Sequence, residues 1–211
     1  MIRTSVRGRY ENGTNGAVAS AIVNAGDVEL KANATFTTSP AFEDLSLSVE
    51  NPGSFVVDYS IPKKDVRFQF MNSVRLLRKQ VNLTYSHWRG DNRIQLDGTL
   101  VIDSANKLSA SFEANTGNCK VKHSYKHRGG LVTFEPSYDF GNNSWDVSIS
   151  RRVLDGDLVR ASYQSSSKVL EVDWCRNTSM DGNFKVSASV NLAEPTKPPT
   201  LRAESIITFD L

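Results

Sequence analysis

Val28-Glu29-Leu30-Lys31-Ala32-Asn33-Ala34-Thr35-Phe36 alternates without a break. Val28, Leu30, Ala32, Ala34 and Phe36 form one apolar set, and Glu29, Lys31, Asn33 and Thr35 form a charged or polar one. A period of two residues predicts a β-strand with two unlike faces. The same period recurs along nearly the whole chain in segments of roughly 8–11 residues, about the length of a strand that crosses a bilayer. One medium must solvate the ionised face, and another must cover the apolar one.

Turn chemistry punctuates the alternation on both sides of this segment. Asn12-Gly13-Thr14-Asn15-Gly16 and Ala25-Gly26-Asp27 come first, followed by Asn51-Pro52-Gly53, Pro62-Lys63-Lys64-Asp65 and Arg89-Gly90-Asp91-Asn92. Further along stand Asp103-Ser104-Ala105-Asn106, Thr116-Gly117-Asn118, Arg128-Gly129-Gly130, Gly141-Asn142-Asn143, Asp155-Gly156-Asp157, Ser165-Ser166-Ser167-Lys168 and Met180-Asp181-Gly182. Glycine, asparagine, aspartate and proline supply the positive or fixed φ that hairpins need. This punctuation predicts about 16 segments, or 12 to 14 if some turns are bulges inside longer strands. Short connections favour an antiparallel up-and-down meander. Residues 72–79 are expected to form a short helical turn or a basic loop, and the proline-rich residues 195–199 a longer connection. The expected organisation is one β-barrel domain over residues 1–211.

The alternation sorts residues into two sets. Leu45, Leu47 and Val49, Val66, Phe68 and Phe70, Val81, Leu83 and Tyr85, and Val186, Ala188 and Val190 are typical of the apolar one. Opposite them lie Arg3, Arg7, Arg9, Glu29, Lys31, Asp58, Arg67, Asp97 and Glu113, then Lys120, Lys122, Asp146, Arg160, Glu171, Asp173, Lys185, Arg202 and Glu204. If the barrel encloses water, these are the candidate pore-lining residues.

Composition narrows the function classes. The chain has 211 residues, 39% of them hydrophobic, and a formal net charge of +2. That near-balance argues against a dedicated nucleic-acid binder, which concentrates basic charge on one face. No apolar run approaches the ~18 residues of a spanning helix. The start, Met1-Ile2-Arg3-Thr4-Ser5-Val6-Arg7, lacks the apolar core of a signal peptide. Cys119 and Cys175 are the only cysteines and are expected as free thiols. His123 and His127 fall on one strand face, but no companion ligands stand at metal spacing. Nucleotide-loop, dinucleotide and serine-hydrolase motifs are absent. No catalytic, cofactor-binding or metal site is therefore expected. Trp88, Trp145, Trp174, Tyr59, Tyr85 and Tyr163 sit within or near strand ends, where interface aromatics of a membrane barrel lie and where ordinary core aromatics lie too. Arg151-Arg152 could hold an anion but is expected rather to end a strand near lipid headgroups. Lys120, Lys122 and Lys126 form a one-sided basic ladder that is either a solvated strand face or, in a pore, a patch attracting phosphate-bearing solutes.

Alternation alone does not say which face points inward. A barrel of about eight strands is filled by its side chains, whereas one of 16 leaves an aqueous channel. With the apolar face inside, 12 to 16 strands would be underpacked and would have to hold a large apolar ligand or collapse into a sandwich. A soluble β-sandwich or β-barrel module binding an apolar ligand is thus the alternative to a membrane barrel. With the polar face inside, the barrel is wet and its apolar face needs lipid, and closure satisfies every backbone polar group as a bilayer demands.

Several long stretches bear on that choice. Asn24-Ala-Gly-Asp-Val-Glu-Leu-Lys31, Pro52-Gly-Ser-Phe-Val-Val-Asp-Tyr59 and Pro62-Lys-Lys-Asp-Val-Arg-Phe-Gln-Phe-Met-Asn72 resemble the plastid outer envelope pore protein family of the 24-kilodalton class. So do Leu100-Val-Ile-Asp-Ser-Ala-Asn-Lys-Leu-Ser-Ala110, Thr133-Phe-Glu-Pro136, Ser150-Arg-Arg152 and Val186-Ser-Ala-Ser-Val-Asn-Leu-Ala193. The resemblance runs the length of the chain in the same order. It implies a β-barrel channel in the outer envelope of chloroplasts and other plastids. It also implies weakly selective passage of triose phosphates, sugars, dicarboxylates, nucleotides and phosphate. It carries over no catalytic residue, cofactor or selectivity filter. The partners it implies are membrane lipid and small metabolites and ions. The barrel could close within one chain or by strand exchange in a homo-oligomer.

Overall fold

The segment around Lys31 forms a strand whose backbone groups pair on both sides, and the same holds for every other strand of the molecule. The computed structural model describes residues 2–11, 14–37, 42–76, 78–154, 156–178 and 182–210. The strands are β1 (Ile2–Glu11), β2 (Thr14–Ala25), β3 (Val28–Thr37), β4 (Phe42–Asn51), β5 (Phe55–Ser60), β6 (Asp65–Leu76), β7 (Lys79–Trp88) and β8 (Arg93–Val101). The second half contributes β9 (Asn106–Glu113), β10 (Asn118–His127), β11 (Val132–Asp139), β12 (Ser144–Leu154), β13 (Asp157–Gln164), β14 (Val169–Thr178), β15 (Gly182–Asn191) and β16 (Thr200–Asp210). Each pairs antiparallel with its sequence neighbours, and β1 pairs with β16 to close the ring. The ring closes within one chain, so strand exchange is not needed for closure. The only helical piece among the described residues is a 3-10 turn at Arg128–Gly130.

The strand number is therefore 16, the upper value expected from the turns. Residues 72–79 depart from expectation. Their described residues form strands rather than a helical turn or a basic loop: β6 runs through to Leu76 and β7 begins at Lys79, with Leu77 outside the described residues. The pairs Asn72↔Leu83, Val74↔Val81 and Leu76↔Lys79 continue the ladder to a tight turn, with Arg78 at φ 64°. Val74, Arg75 and Leu76 keep the two-residue period up to the end of β6, and tertiary pairing overrides the helix-favouring local composition. The turn at Gly26-Asp27 follows expectation, with Gly26 at φ 67°, where a glycine carries no Cβ penalty. Asn12, Gly13, Asp155, Met180, Asp181 and Leu211 lie outside the described residues.

An even number of antiparallel strands puts the start of β1 and the end of β16 at one rim, here called the terminal rim; the other is the distal rim. Strands about 4.8 Å apart and tilted about 40° set the backbone radius of a 16-strand ring at roughly 16 Å. Substantial contact runs only between ring neighbours, apart from the 3-10 turn against β10 and β11. No described segment folds across the interior.

Directly opposed residues share a face, so register assigns each side chain to the inside or the outside. Leu30 faces Val23 and Val49, Leu47 faces Tyr59, Phe70 faces Tyr85, and Tyr85 faces Leu96. Large apolar residues on this outer face are open to their surroundings: Phe70 is 53% exposed, Trp145 57% and Leu76 62%. The inner face buries mainly serines, among them Ser48, Ser86, Ser137, Ser148 and Ser187, and Val56 is the only buried apolar residue among those described. The protein has its polarity reversed relative to a water-soluble domain. This disposes of the soluble alternative, because an apolar ligand would meet a charged and hydroxylic interior while many large outer side chains stayed exposed to water.

Candidate functional site

The inner wall carries the chemistry, and register places every candidate residue on it. Arg3, Arg7 and Arg9 occupy inner positions of β1 opposite Asp210, Ile206 and Glu204. The side chain of Arg3 lies outside the described part of the structure. Glu29 and Lys31 follow on β3, Asp58 on β5, Arg67 on β6, Asp97 on β8 and Glu113 on β9. Lys120 and Lys122 lie on β10, Asp146 on β12, Arg160 on β13, Glu171 and Asp173 on β14, Lys185 on β15, and Arg202 and Glu204 on β16.

Side chains of opposite sign meet across neighbouring strands. Lys31 Nζ lies 2.5 Å from Glu50 and 3.2 Å from Glu29. Arg67 binds Asp58, which also accepts a hydrogen bond from Ser48. Arg9 lies 3.6 Å from Glu204, Arg93 4.0 Å from Glu113, and Lys185 3.2 Å from Asp173. Lys120 reaches 2.5 Å from Asp146 on the second strand over, passing the buried Ser137. Glu135 takes Lys122 at 3.3 Å and Arg160 at 3.5 Å, and Arg160 also donates to Ser148 at 3.0 Å. Asp97 accepts from Gln95 at 3.0 Å. Small serines leave room for long charged side chains to span a strand, which is why the most buried residues are hydroxylic.

Glu50, Arg93, Glu135 and Arg152 also belong to the inner face, though they are missing from the sequence-based set. Glu135, between Phe134 and Pro136, carried the same two-residue signal as the others. Trp88 departs from the interface reading. It lies on the inner face opposite Arg67 and Arg93, with the Arg93 guanidinium 3.9 Å from its ring centre. Trp145, Trp174, Tyr59, Tyr85 and Tyr163 are outer by register. Arg151 and Arg152 split: Arg151 is outer, opposite Val132 and Val159, whereas Arg152 is inner, opposite Leu158. His123 and His127 share the outer face, and His123 Nε2 meets Asn106 Oδ1 at 3.1 Å. No His, Cys, Asp or Glu group suited to a metal occurs among the described residues.

Both cysteines are free. Cys119 is outer, opposite Phe112 near the distal rim, and Cys175 is inner, opposite Leu158 near the terminal rim. Opposite faces and opposite ends put a bridge between them out of reach.

Known proteins share both the architecture and the sequence. Two triple mutants of a Rhodopseudomonas blastica porin match 99% of this chain over 99% of their own, with TM-scores of 0.66 and 0.67 at 8% identity. That degree of likeness speaks for the fold. The Arabidopsis thaliana protein named outer envelope pore protein 24B, chloroplastic, is 53% identical over 213 residues, covering 100% of this chain and 99% of the relative. The Oryza sativa subsp. japonica protein named outer envelope pore protein 24, chloroplastic, is 41% identical over 100% of both chains. The family model described as outer envelope pore protein 24 matches residues 2–210. With a closed 16-strand barrel, a polar interior and these relatives at full length, the chain belongs to the outer envelope pore protein 24 family, the channel-forming β-barrels of the chloroplast outer envelope.

Proposed function

We propose that the barrel is a wide, weakly selective aqueous pore for passive diffusion of small charged and polar metabolites across the outer envelope. The solutes are triose phosphates, sugars, dicarboxylates, nucleotides and inorganic phosphate. The observation that carries this reading is the predominantly polar inner face of a 16-strand ring that no described segment crosses. A ring of that size leaves an aqueous channel, and the residues named above line it. Charges of both signs are interleaved and mostly paired, so the mean potential along the lumen is small and discrimination by charge is weak. The energy source is the solute gradient.

Reconstitution tests this directly. Refolded protein in a planar bilayer should give discrete conductance steps, and proteoliposomes should swell in each of these solutes at rates falling with solute size. A chain that stays monomeric in water without detergent and gives no steps would end the pore reading. Swelling confined to one solute class would replace weak selectivity with a specific carrier.

A further inference from the structure

One inner-wall region near the terminal rim breaks the pattern of paired charges. Lys126, Thr133 and Ser150 form a row across β10, β11 and β12, and Arg152 stands one inner position closer to the rim. The pairing of β12 with β13 shifts between Arg152 and Leu154, so the ladder is irregular just beyond Arg152. These four residues, with Asp157 and Cys175, line a hollow of about 880 Å³. Asp157, placed on the outer side by its pairing with Arg176, lies 3.5 Å from that residue. Deeper in the lumen Lys120, Lys122 and Arg160 are matched by Asp146 and Glu135. Lys126 and Arg152 are exposed, and among the described residues neither side chain has a carboxylate partner.

We infer that this hollow is a docking station for phosphate-class oxyanions at the terminal mouth of the pore. Two uncompensated cations facing a water-filled recess attract an anion. A guanidinium, an ammonium and two hydroxyls supply the several directed donors that a tetrahedral oxyanion accepts and a chloride ion does not need. The recess has room for a phosphate ester as well as the free ion. The station rests on the aqueous-pore reading only in that solutes must reach the inner wall; it is occupied from the terminal side first, because its residues lie at that rim.

Cys175 in the wall of the hollow gives a native probe. In Cys119→Ser protein in liposomes, a small charged methanethiosulfonate reagent labels Cys175 alone. Inorganic phosphate should slow that labelling severalfold, and potassium chloride at equal ionic strength should not. Lys126→Gln and Arg152→Gln should each raise the phosphate concentration needed for protection by about tenfold, the scale of one charge-assisted hydrogen bond. Ser150→Ala, which deletes a donor but no charge, should raise it by about threefold. Lys120→Gln, whose parent ammonium is engaged by Asp146, should leave protection unchanged. Absence of phosphate protection, or equal loss in the Lys120 variant, overturns the station. Bilayer recordings on the same preparation separate the two readings: steps without protection remove the station and keep the pore, whereas protection without steps does the reverse.

Discussion

At the residue scale, the rule of this protein is that ionic groups are held by near neighbours and the hydroxyls between them stay small. The clearest case away from the inner wall is Asp103, in the turn between β8 and β9. The Asn106 side-chain amide, at 3.0 Å, is the main cause holding its carboxyl below the ordinary carboxylate range. The amides of Ala105 at 2.8 Å and Asn106 at 2.7 Å add to this, as does the attraction of Lys79. A depressed folded pKa means that the ionised carboxylate stabilises the fold. That contribution is complete above the unfolded value of about 3.9 and is lost as pH falls through the lower folded value. Asp103→Asn should therefore lower the urea midpoint slightly at pH 7, and the gap from the parent protein should close as pH falls through the lowered folded value. A gap that persists in acid would mean that the shape of the turn, not the charge, is what Asp103 supplies.

At the element scale, the strands were legible because alternation and turn residues agree from β1 to β16. The segment at 72–79 was misread because Arg75, Arg78 and Lys79 look like a basic loop until β7 is set beside β6. The partners of the inner charges were not legible. Lys120 with Asp146, and Arg160 with Glu135, join strands that are not adjacent, so their meeting depends on accumulated register rather than spacing. The oxyanion hollow was legible only in pieces, Lys126 as part of a basic ladder and Arg152 in a pair that could hold an anion, because it is assembled from β10 to β14. Another feature without a sequence-level reading is Pro136, in the middle of β11. Proline has no amide hydrogen, and a closed barrel offers no free edge to absorb that loss. The β10–β11 register is interrupted between Lys122↔Ser137 and Tyr125↔Phe134, which is where Pro136 falls. Pro136↔Val147 stays in register with β12, so the gap faces β10, and valine at 136 would supply an amide hydrogen toward that strand inside the closed ring. The resulting bond outweighs the roughly 0.4–1 kcal/mol by which proline restricts the unfolded chain. Pro136→Val should thus stabilise the barrel by about 1 kcal/mol, read as a higher urea midpoint in folded detergent complexes. A lower midpoint would show that the strand needs the bend.

At the scale of the whole molecule, alternation described two faces and left inside and outside undefined. Closure at 16 strands decided it, because only a wet interior leaves such a ring without an apolar core to fill. The same geometry fixes how selectivity must depend on salt. The Debye length is about 3 Å in 1 M salt and about 30 Å at 0.01 M, against a backbone radius of roughly 16 Å. In concentrated salt the fixed charges are screened before their fields reach the pore axis, so the reversal potential across a salt gradient should be near zero. In dilute salt the fields overlap across the lumen, and the balance of wall charge sets the sign. Lys120→Glu with Lys122→Glu removes two positive charges and adds two negative ones next to Asp146 and Glu135, so the reversal potential should move toward cations. Asp97→Lys should move it toward anions, since Asp97 lies on the same wall with only Gln95 amides on its oxygens. Both displacements should shrink severalfold between 0.01 M and 1 M salt. A displacement that survives 1 M salt would place these side chains in a constriction only a few ångströms wide and overturn the wide-pore geometry; none at 0.01 M would remove them from the conducting path.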